Sequence, residues 1–318
     1  MRPVTLASAA HGTGGEGDAP DDANRLRRMD RFGRAGYLAG TRAFAAAGLV
    51  RQAGPDARSG VVVGTRHGCR SAITGHAALL AAAARVEDLL PSVFAATVHN
   101  TVNGELAIAL GFGGISETIV SGRTAGLEAL ILGARRVAAG DADRILVVAA
   151  EGVDDAMREA WEEERHALGE SAAGVDLVET GAAVLLEAQE ISSNGEEGRR
   201  ERIRFLDGCV FFEPDARRAA ARFFGWVKDI EARSGDDVPR APITLCTPDY
   251  EDFLEGQSEQ APRVERFGAA GVFDIARDVV QIAKSAPFPF SPSKKIRLYV
   301  TRDVTGAVAA VALESSSF

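Results

Sequence analysis

Residues able to serve as nucleophiles, bases or metal ligands are sparse in this 318-residue chain. It carries five histidines, at positions 11, 67, 76, 99 and 166, and three cysteines, Cys69, Cys209 and Cys246. Residues 167–318 contain no histidine. No CxxC pair and no His/Cys/acid spacing suits a metal ion, so neither a metal nor a cofactor is expected. Cys69 and His67 stand two apart, and on an extended segment they would point the same way. A working thiol–imidazole pair also needs an orienting group and an oxyanion hole, and the flanking residues announce neither. Cys209 and Cys246 read as small buried hydrophobes. His99, just ahead of Asn100, reads as a helix-start residue. His67 and His76 read as ordinary half-buried histidines. Arg123 follows Ser121-Gly122 and precedes an Ala-Gly-led apolar run. A cation at a helix start opposes the helix dipole. Arg123 is therefore either a surface residue on a turn or a deliberate plug paired with a carboxylate.

Composition narrows what such residues can do. The chain is 46% hydrophobic and 25% charged, which is the make-up of a folded globular protein. The longest unbroken apolar stretch, residues 77–84, falls well short of the roughly 20 residues a bilayer span needs. The first residues, MRPVTLASAAHGTGG, lack the apolar centre of a secretory signal. With an odd number of cysteines, the expected setting is the reducing cytoplasm. Net charge is −9, whereas a nucleic-acid binder would show a basic domain. Neither nucleic acid nor membrane is expected as a partner.

The elements that must position these residues follow from periodicity. Residues 4–7 read as a short strand, and residues 12–22 as a Gly/Asp-rich loop. A helix is predicted over 30–47, with Asp30 as cap, Phe32, Ala35, Leu38, Ala39, Ala43 and Ala46 as its apolar face, and Gly48 as its stop. GVVVG at 60–64 reads as a buried strand. Helices are predicted over 71–84, 100–110 and 124–139, and strands over 117–120 and 144–149. WEEERHALGE at 161–170 reads as a solvated helix face. Strands alternate with helices, so the class is α/β, with a largely parallel central sheet expected.

An internal repeat adds to this. AGLEALILGARRVAAG at 125–140 and AGVFDIARDVVQIAKS at 270–285 are both Ala-Gly-led apolar helices. Each is followed by a strand, RILVVAAE or KIRLYVTRD, and then by a closing strand, TGAAVLLEA at 180–188 or TGAVAAVALE at 305–314. The polar stretch SSNGEEGRRE at 192–201 marks the boundary between two halves.

Several stretches, taken in order, resemble the β-ketoacyl synthases of the thiolase fold. These are RRMDRFGRAGYLAGTRAFAAAGL at 27–49, GVVVGTRHGC at 60–69, LPSVFAATVHNTVNGELAIALGFGG at 90–114, and ETIVSGRTAGLEALILGARRVAAGDADRILVVAAEGVDDA at 117–156. The likeness runs over 27–188 and reappears at FGAAG, 267–271. It implies an α/β, thiolase-like duplicated fold: two similar halves, 1–190 and a shortened 191–318, with helices between and outside mixed sheets.

The same resemblance implies that the chemistry has gone. Synthases of this family use a cysteine at a helix N-terminus and two histidines. Aligned on TAGLEA, the nucleophile position is Arg123, and a guanidinium is no nucleophile. The first histidine belongs in LCTPDYE at 245–251, where Cys246 and Thr247 stand. The second belongs at Glu265, the carboxylate expected to pair with Arg123.

Among family members that have lost the nucleophile, the sequence resembles the chain-length factors of type II polyketide synthases. The implied function is a silent subunit that heterodimerises with an active ketosynthase and shapes the acyl tunnel, the chain arriving on a phosphopantetheinyl acyl carrier protein. Gating falls to His67, Arg70, Ala72, Ile73 and Ala77, with Phe94 across from them. The dimer interface falls to Asn100, Glu117, Thr118, Ile119 and Val120. Arg217, Arg218 and Arg222 could meet the acidic carrier or simply form surface ion pairs. The alternatives are an acyltransferase or hydrolase with a replaced catalytic set, and a homodimeric acyl-binding scaffold.

Overall fold

The computed structural model describes residues 2–12, 23–83, 85, 91–167, 176–189, 202–234, 243–245, 264–265, 275–277, 295–302 and 307–316. In chain order the elements are β1 (Val4–Gly12), α1 (Ala23–Leu26), α2 (Arg31–Ala46), β2 (Ser59–Thr65), α3 (Arg70–Ala82), α4 (Pro91–Ala95), α5 (Thr101–Leu110), β3 (Ser116–Val120), α6 (Ala125–Ala139), β4 (Arg144–Glu151), α7 (Asp155–Ala167), β5 (Asp176–Leu177), β6 (Thr180–Ala188), β7 (Arg202–Phe212), α8 (Ala216–Ser234), β8 (Ile243–Leu245), β9 (Val264–Glu265), β10 (Lys295–Arg302) and β11 (Ala307–Ser316).

The helix ends follow local chemistry. Asp30 caps α2 by accepting the Gly33 N–H at 2.7 Å. Gly48, Gly111 and Gly140 turn the chain with positive φ after α2, α5 and α6. Glycine also sets how closely α2 and α5 approach. A Cβ on Gly36 would lie 2.7 Å from Val102 Cγ1, and one on Gly40 would lie 2.7 Å from Leu106 Cδ2.

Nine strands form one sheet in the order β3-β2-β4-β6-β1-β7-β11-β10-β8. From β2 to β8 the order is symmetric about the β1–β7 seam, and among the described residues β3 has no counterpart beyond β8. β4 pairs β2 in parallel and β6 antiparallel, as β10 pairs β8 in parallel and β11 antiparallel. The repeated strands of the sequence therefore occupy equivalent places in a duplicated fold.

The largely parallel sheet expected from strand–helix alternation is corrected to a mixed one, as the family resemblance implied. Within this nine-stranded sheet parallel pairing is confined to β3-β2-β4 and to β10-β8, and every pair from β4 across the seam to β10 is antiparallel; β5 and β9 form a separate two-stranded parallel sheet. Strands joined by crossover helices, such as β3 and β4 through α6, come out parallel. The closing strands β6 and β11 instead return against β4 and β10. β1 also runs to Gly12, beyond the expected residue 7. Ser8–Gly12 has no β-branched run to announce it, and pairing with β6 supplies the ladder.

Alternation along the strands builds the layers. Val62, Ile145, Val147, Val184 and Leu186 share one cluster with Tyr299, Ala309, Val311 and Leu313 from the other side of the seam. Leu127, Leu130, Ile131, Ala134 and Val137 of α6 lie in that same cluster, beside Ile275 and Ala276. The alternate residues Val61, Val63, Leu146, Val148, Ala183 and Leu185 pack on α2 and α5. Leu298, Val300, Val308, Ala310 and Ala312 pack on Ala219, Phe223 and Ile230 of α8. The sheet thus folds over α6, with further helices outside each wing. α7 is not wholly solvated: Met157 and Trp161 face inward against Val153 and Leu177, and Arg165 stacks on the Trp161 ring.

Several expectations lie outside the described residues: residues 13–22 of the loop, the boundary stretch 192–201, Cys246, Thr247, and all but residues 275–277 of the repeated helix.

Candidate functional site

The elbow before α6 is set by backbone contacts. β3 runs beside β2, with Gly64 opposite Ile119 and Thr65 opposite Val120. The Ser121 N–H then donates to the Thr65 carbonyl at 3.2 Å. A Cβ on Gly64 would collide with the Ala125 carbonyl, so only glycine lets β2 pass beneath the first turn of α6. Arg123 is buried on this elbow, 4% exposed, and the fully buried Thr124 follows it. Glu128, in the first turn, accepts from the Ser121 hydroxyl at 3.1 Å and from the Thr124 hydroxyl. That carboxylate suits the positive helix end, where the Arg123 charge does not. The reading of Arg123 as an exposed turn residue is therefore corrected. Glu265 lies on β9, in register with Leu177, and its side chain is outside the described residues.

Neither described cysteine is poised for attack. Cys69 is fully buried, and burial, followed by the nearby Asp30 charge, pushes its thiol up to about 11. Burial, followed by the Asp207 charge, pushes Cys209 up to about 12. A thiol in this range holds its proton at neutral pH. The imagined Cys69–His67 pair does not form. Gly68 between them has φ +56°, so the segment is not extended. Cys69 Sγ lies 3.6 Å from His99 Nδ1 instead.

His67 belongs to a different cluster, built around Glu151 at the end of β4. The Glu151 side chain is fully buried. Its carboxylate accepts the Thr65 hydroxyl at 3.1 Å, the His67 N–H at 3.2 Å and the Arg66 N–H, and it lies 3.5 Å from His67 Nδ1. The Gly68 N–H donates back to Thr65 Oγ1 at 2.8 Å. Arg66 reaches out to α7, with one guanidinium nitrogen 3.1 Å from each Glu164 oxygen. Sequence reasoning passed over Glu151. The available signal was an acid closing the otherwise apolar run RILVVAAE.

The remaining gating candidates lie on or beside α3, which has no buried residue. Arg70 and Ala77 are exposed, and Ala72 packs in part against the α2–α5 core. Ile73 is 41% exposed and Phe94 on α4 is 60% exposed. The Phe94 ring stands edge-on to His76, with centroids 5.9 Å apart. Leu79, Leu80, Val98, Ile108 and Val120 are exposed apolar residues of the same elements or their neighbours.

β3 carries most of the interface candidates and is the terminal strand of the sheet. Thr118 and Ile119 are half-buried, and Val120 is exposed. Glu117 pairs with Arg136 of α6 at 2.7 Å, and Asn100 is an exposed helix-start residue. Asn103, which sequence reasoning did not single out, ties α5 to this edge. Its buried amide donates to the Val61 carbonyl at 3.1 Å and the Glu117 carbonyl at 2.7 Å, and it accepts from Ser116 Oγ at 2.6 Å.

The family model of the β-ketoacyl synthase N-terminal domain matches residues 20–190, more than half of the chain. The chain belongs to the β-ketoacyl synthase family. A 3-oxoacyl-[acyl-carrier-protein] synthase 2 from Vibrio cholerae is 35% identical over 126 residues, which are 39% of this chain. The match spans 30% of that relative's length. Three solved structures superpose over 100% of both chains. They are an ishigamide ketosynthase/chain length factor (TM-score 0.75, 20% identical), a type II polyketide synthase acyl-carrier protein in complex with its ketosynthase bound to the hexaketide (0.76, 18%), and a β-ketoacyl synthase from Burkholderia phymatum (0.73, 12%). At these identities they show the thiolase-like fold. Among the described residues no helix is long and apolar enough to cross a membrane, and no group of three His, Cys or acidic side chains could hold a metal ion.

Proposed function

We propose that this ketosynthase-family chain is a catalytically silent subunit of the chain-length-factor kind. It pairs with an active ketosynthase and lends side chains to the tunnel that holds the growing acyl chain. The observation that carries this reading is Arg123, buried on the elbow where the family resemblance puts the nucleophile. Its guanidinium donates hydrogen bonds but cannot attack a thioester. The raised thiols of Cys69 and Cys209 support the same reading, because neither supplies a substitute thiolate.

The terminal strand β3 supports dimerisation through that edge. An open edge flanked by exposed apolar residues is a surface that folded proteins cover. The division of the halves at 190/191 and residence in the cytoplasm belong to the same reading. Net charge −9 leaves carrier docking mainly to the partner, because acyl carrier proteins are acidic and like charges repel.

Co-expression with an intact ketosynthase, followed by size-exclusion chromatography and intact-protein mass spectrometry, tests the reading. A stable one-to-one complex whose acyl label resides on the partner alone is expected. A stoichiometric acyl adduct on a cysteine of this chain would overturn it in favour of an enzyme with a replaced catalytic set. A homodimer that ignores the ketosynthase would favour the acyl-binding scaffold.

A further inference from the structure

Glu151 is a fully buried carboxylate whose described partners all come from one turn. That turn, residues 65–68, joins β2 to α3 and carries His67. Two backbone N–H groups and a hydroxyl converge on the carboxylate, and the hydroxyl in turn receives the Gly68 N–H. A carboxylate with several donors forms charge-assisted bonds, roughly twice as strong as neutral ones. α3 beyond the turn buries no residue, so packing of that helix does little to fix the segment's path. The positively twisted backbone at Gly68, φ +56°, also has to be held.

We infer that Glu151 is the positioning residue of the turn at 65–68, fixing where His67 stands relative to the acyl chain and thereby helping to set chain length. The inference rests on the chain-length reading above. Glu151 acts through the turn and not on the substrate. Among the described residues the other charged groups about it are Arg66, which reaches Glu164 on α7, and Asp30, whose charge is felt at Cys69 just after the turn.

Glu151→Gln is the informative substitution. It keeps the volume but sets an amide NH2 group against backbone donors. In the isolated full-length chain, hydrogen exchange at Arg66, His67 and Gly68 should quicken at least about tenfold, the equivalent of one charge-assisted hydrogen bond. Exchange at Val61–Val63 should stay as it was. A merely structural role would quicken both segments together.

With the ketosynthase added back, the Glu151→Gln product ladder should shift in the direction of His67→Ala. The double variant should shift no further than His67→Ala alone, because both changes act through one side chain. If Glu151→Gln does not fold, Thr65→Val removes the hydroxyl link and should loosen the same three amides.

Unchanged exchange at the turn would overturn the inference. So would an unchanged ladder for Glu151→Gln when His67→Ala moves it. If the turn loosens and neither variant moves the ladder, Glu151's hold on the turn stands and the gating reading fails.

Discussion

Thr5 of β1 stands directly opposite Arg204 of β7 across the central seam, and this pair brings a row of charged residues level across the sheet. On one side Thr5 is also opposite Glu187, which is opposite Arg144. On the other, Arg204 is opposite Glu314. Glu187 and Glu314 close the repeated strands, and both are nearly buried. Each meets an arginine, but from a different neighbour: Arg144 of β4 for Glu187, and Arg204 of β7, at 2.7 Å, for Glu314. Removing Arg144 strands a nearly buried carboxylate. Arg144→Ala should therefore cost about 1–3 kcal/mol in urea unfolding. Arg144→Ala with Glu187→Leu should recover part of that loss. A double variant no better than the single would show that the pair itself matters little.

The acid limb of the stability curve should report Asp143. A hydrogen bond from Arg58, and then one from Arg2, hold its carboxyl below the ordinary value of 3.8. A depressed carboxyl contributes stability above its unfolded value and loses it as pH falls through the folded one. Asp143→Asn should therefore narrow the gap between variant and parent as pH drops below 3.8, with the gap constant at higher pH. Thermal melts across pH 2–7 check this. A gap independent of pH would place the effect elsewhere.

Two glycine substitutions should act in opposite directions. Gly36→Ala sets a methyl 2.7 Å from Val102 Cγ1 and 3.2 Å from Ala150 Cβ, both poorly able to retreat. Overpacking of this kind costs about 1–3 kcal/mol. Gly75 in α3 has nothing within 4 Å of its would-be Cβ. Gly75→Ala should stabilise by about 0.5–1 kcal/mol through helix propensity alone. Denaturant midpoints measure both.

For the proposed interface, Val120→Lys is the sharper test, since Val120 is 47% exposed on the terminal strand. The isolated chain should keep its melting temperature, and capture of the ketosynthase should fall at least about tenfold, as for other desolvated interface charges. Unimpaired capture would move the interface away from β3.

Chain-length control should respond at Ala77 more cleanly than at Ala72. Ala77 is exposed on α3, whereas Ala72 packs in part on the α2–α5 core, so Ala72→Phe risks about 1–3 kcal/mol of overpacking. Ala77→Phe should shorten the product of the reconstituted pair, and His67→Ala or Ile73→Ala should lengthen it or broaden its spread. Mass-spectrometric profiling decides. Unchanged ladders with the complex intact would remove this segment from the tunnel.

What the sequence disclosed was whatever is written in short-range pattern. α2, α5, α6, β2, β3 and β4 appeared within a residue or two, because their caps, glycine stops and β-branched runs are local signals. The repeat anticipated the symmetric strand order. Alternation of helices and strands suggested a largely parallel sheet, because it does not reveal that β6 and β11 turn back; the mixed sheet was anticipated only through the family resemblance. β7 and α8 passed unread, for their apolar residues are interrupted by charge. At the site, the elbow was legible from Ser121-Gly122-Arg123 and the Ala-Gly-led helix. Glu151 was not, because the turn it holds lies more than eighty positions away. Only the adjacency of β2 and β4 brings the two together.

The double grip on α6 has a consequence for what can change here. That helix is clamped between both wings of the sheet, and its first turn is seated on Gly64 and tied through Ser121 to Thr65. None of these contacts uses the side chain at position 123. The path of the elbow is thus laid down by backbone and helix packing, independently of which side chain stands at position 123.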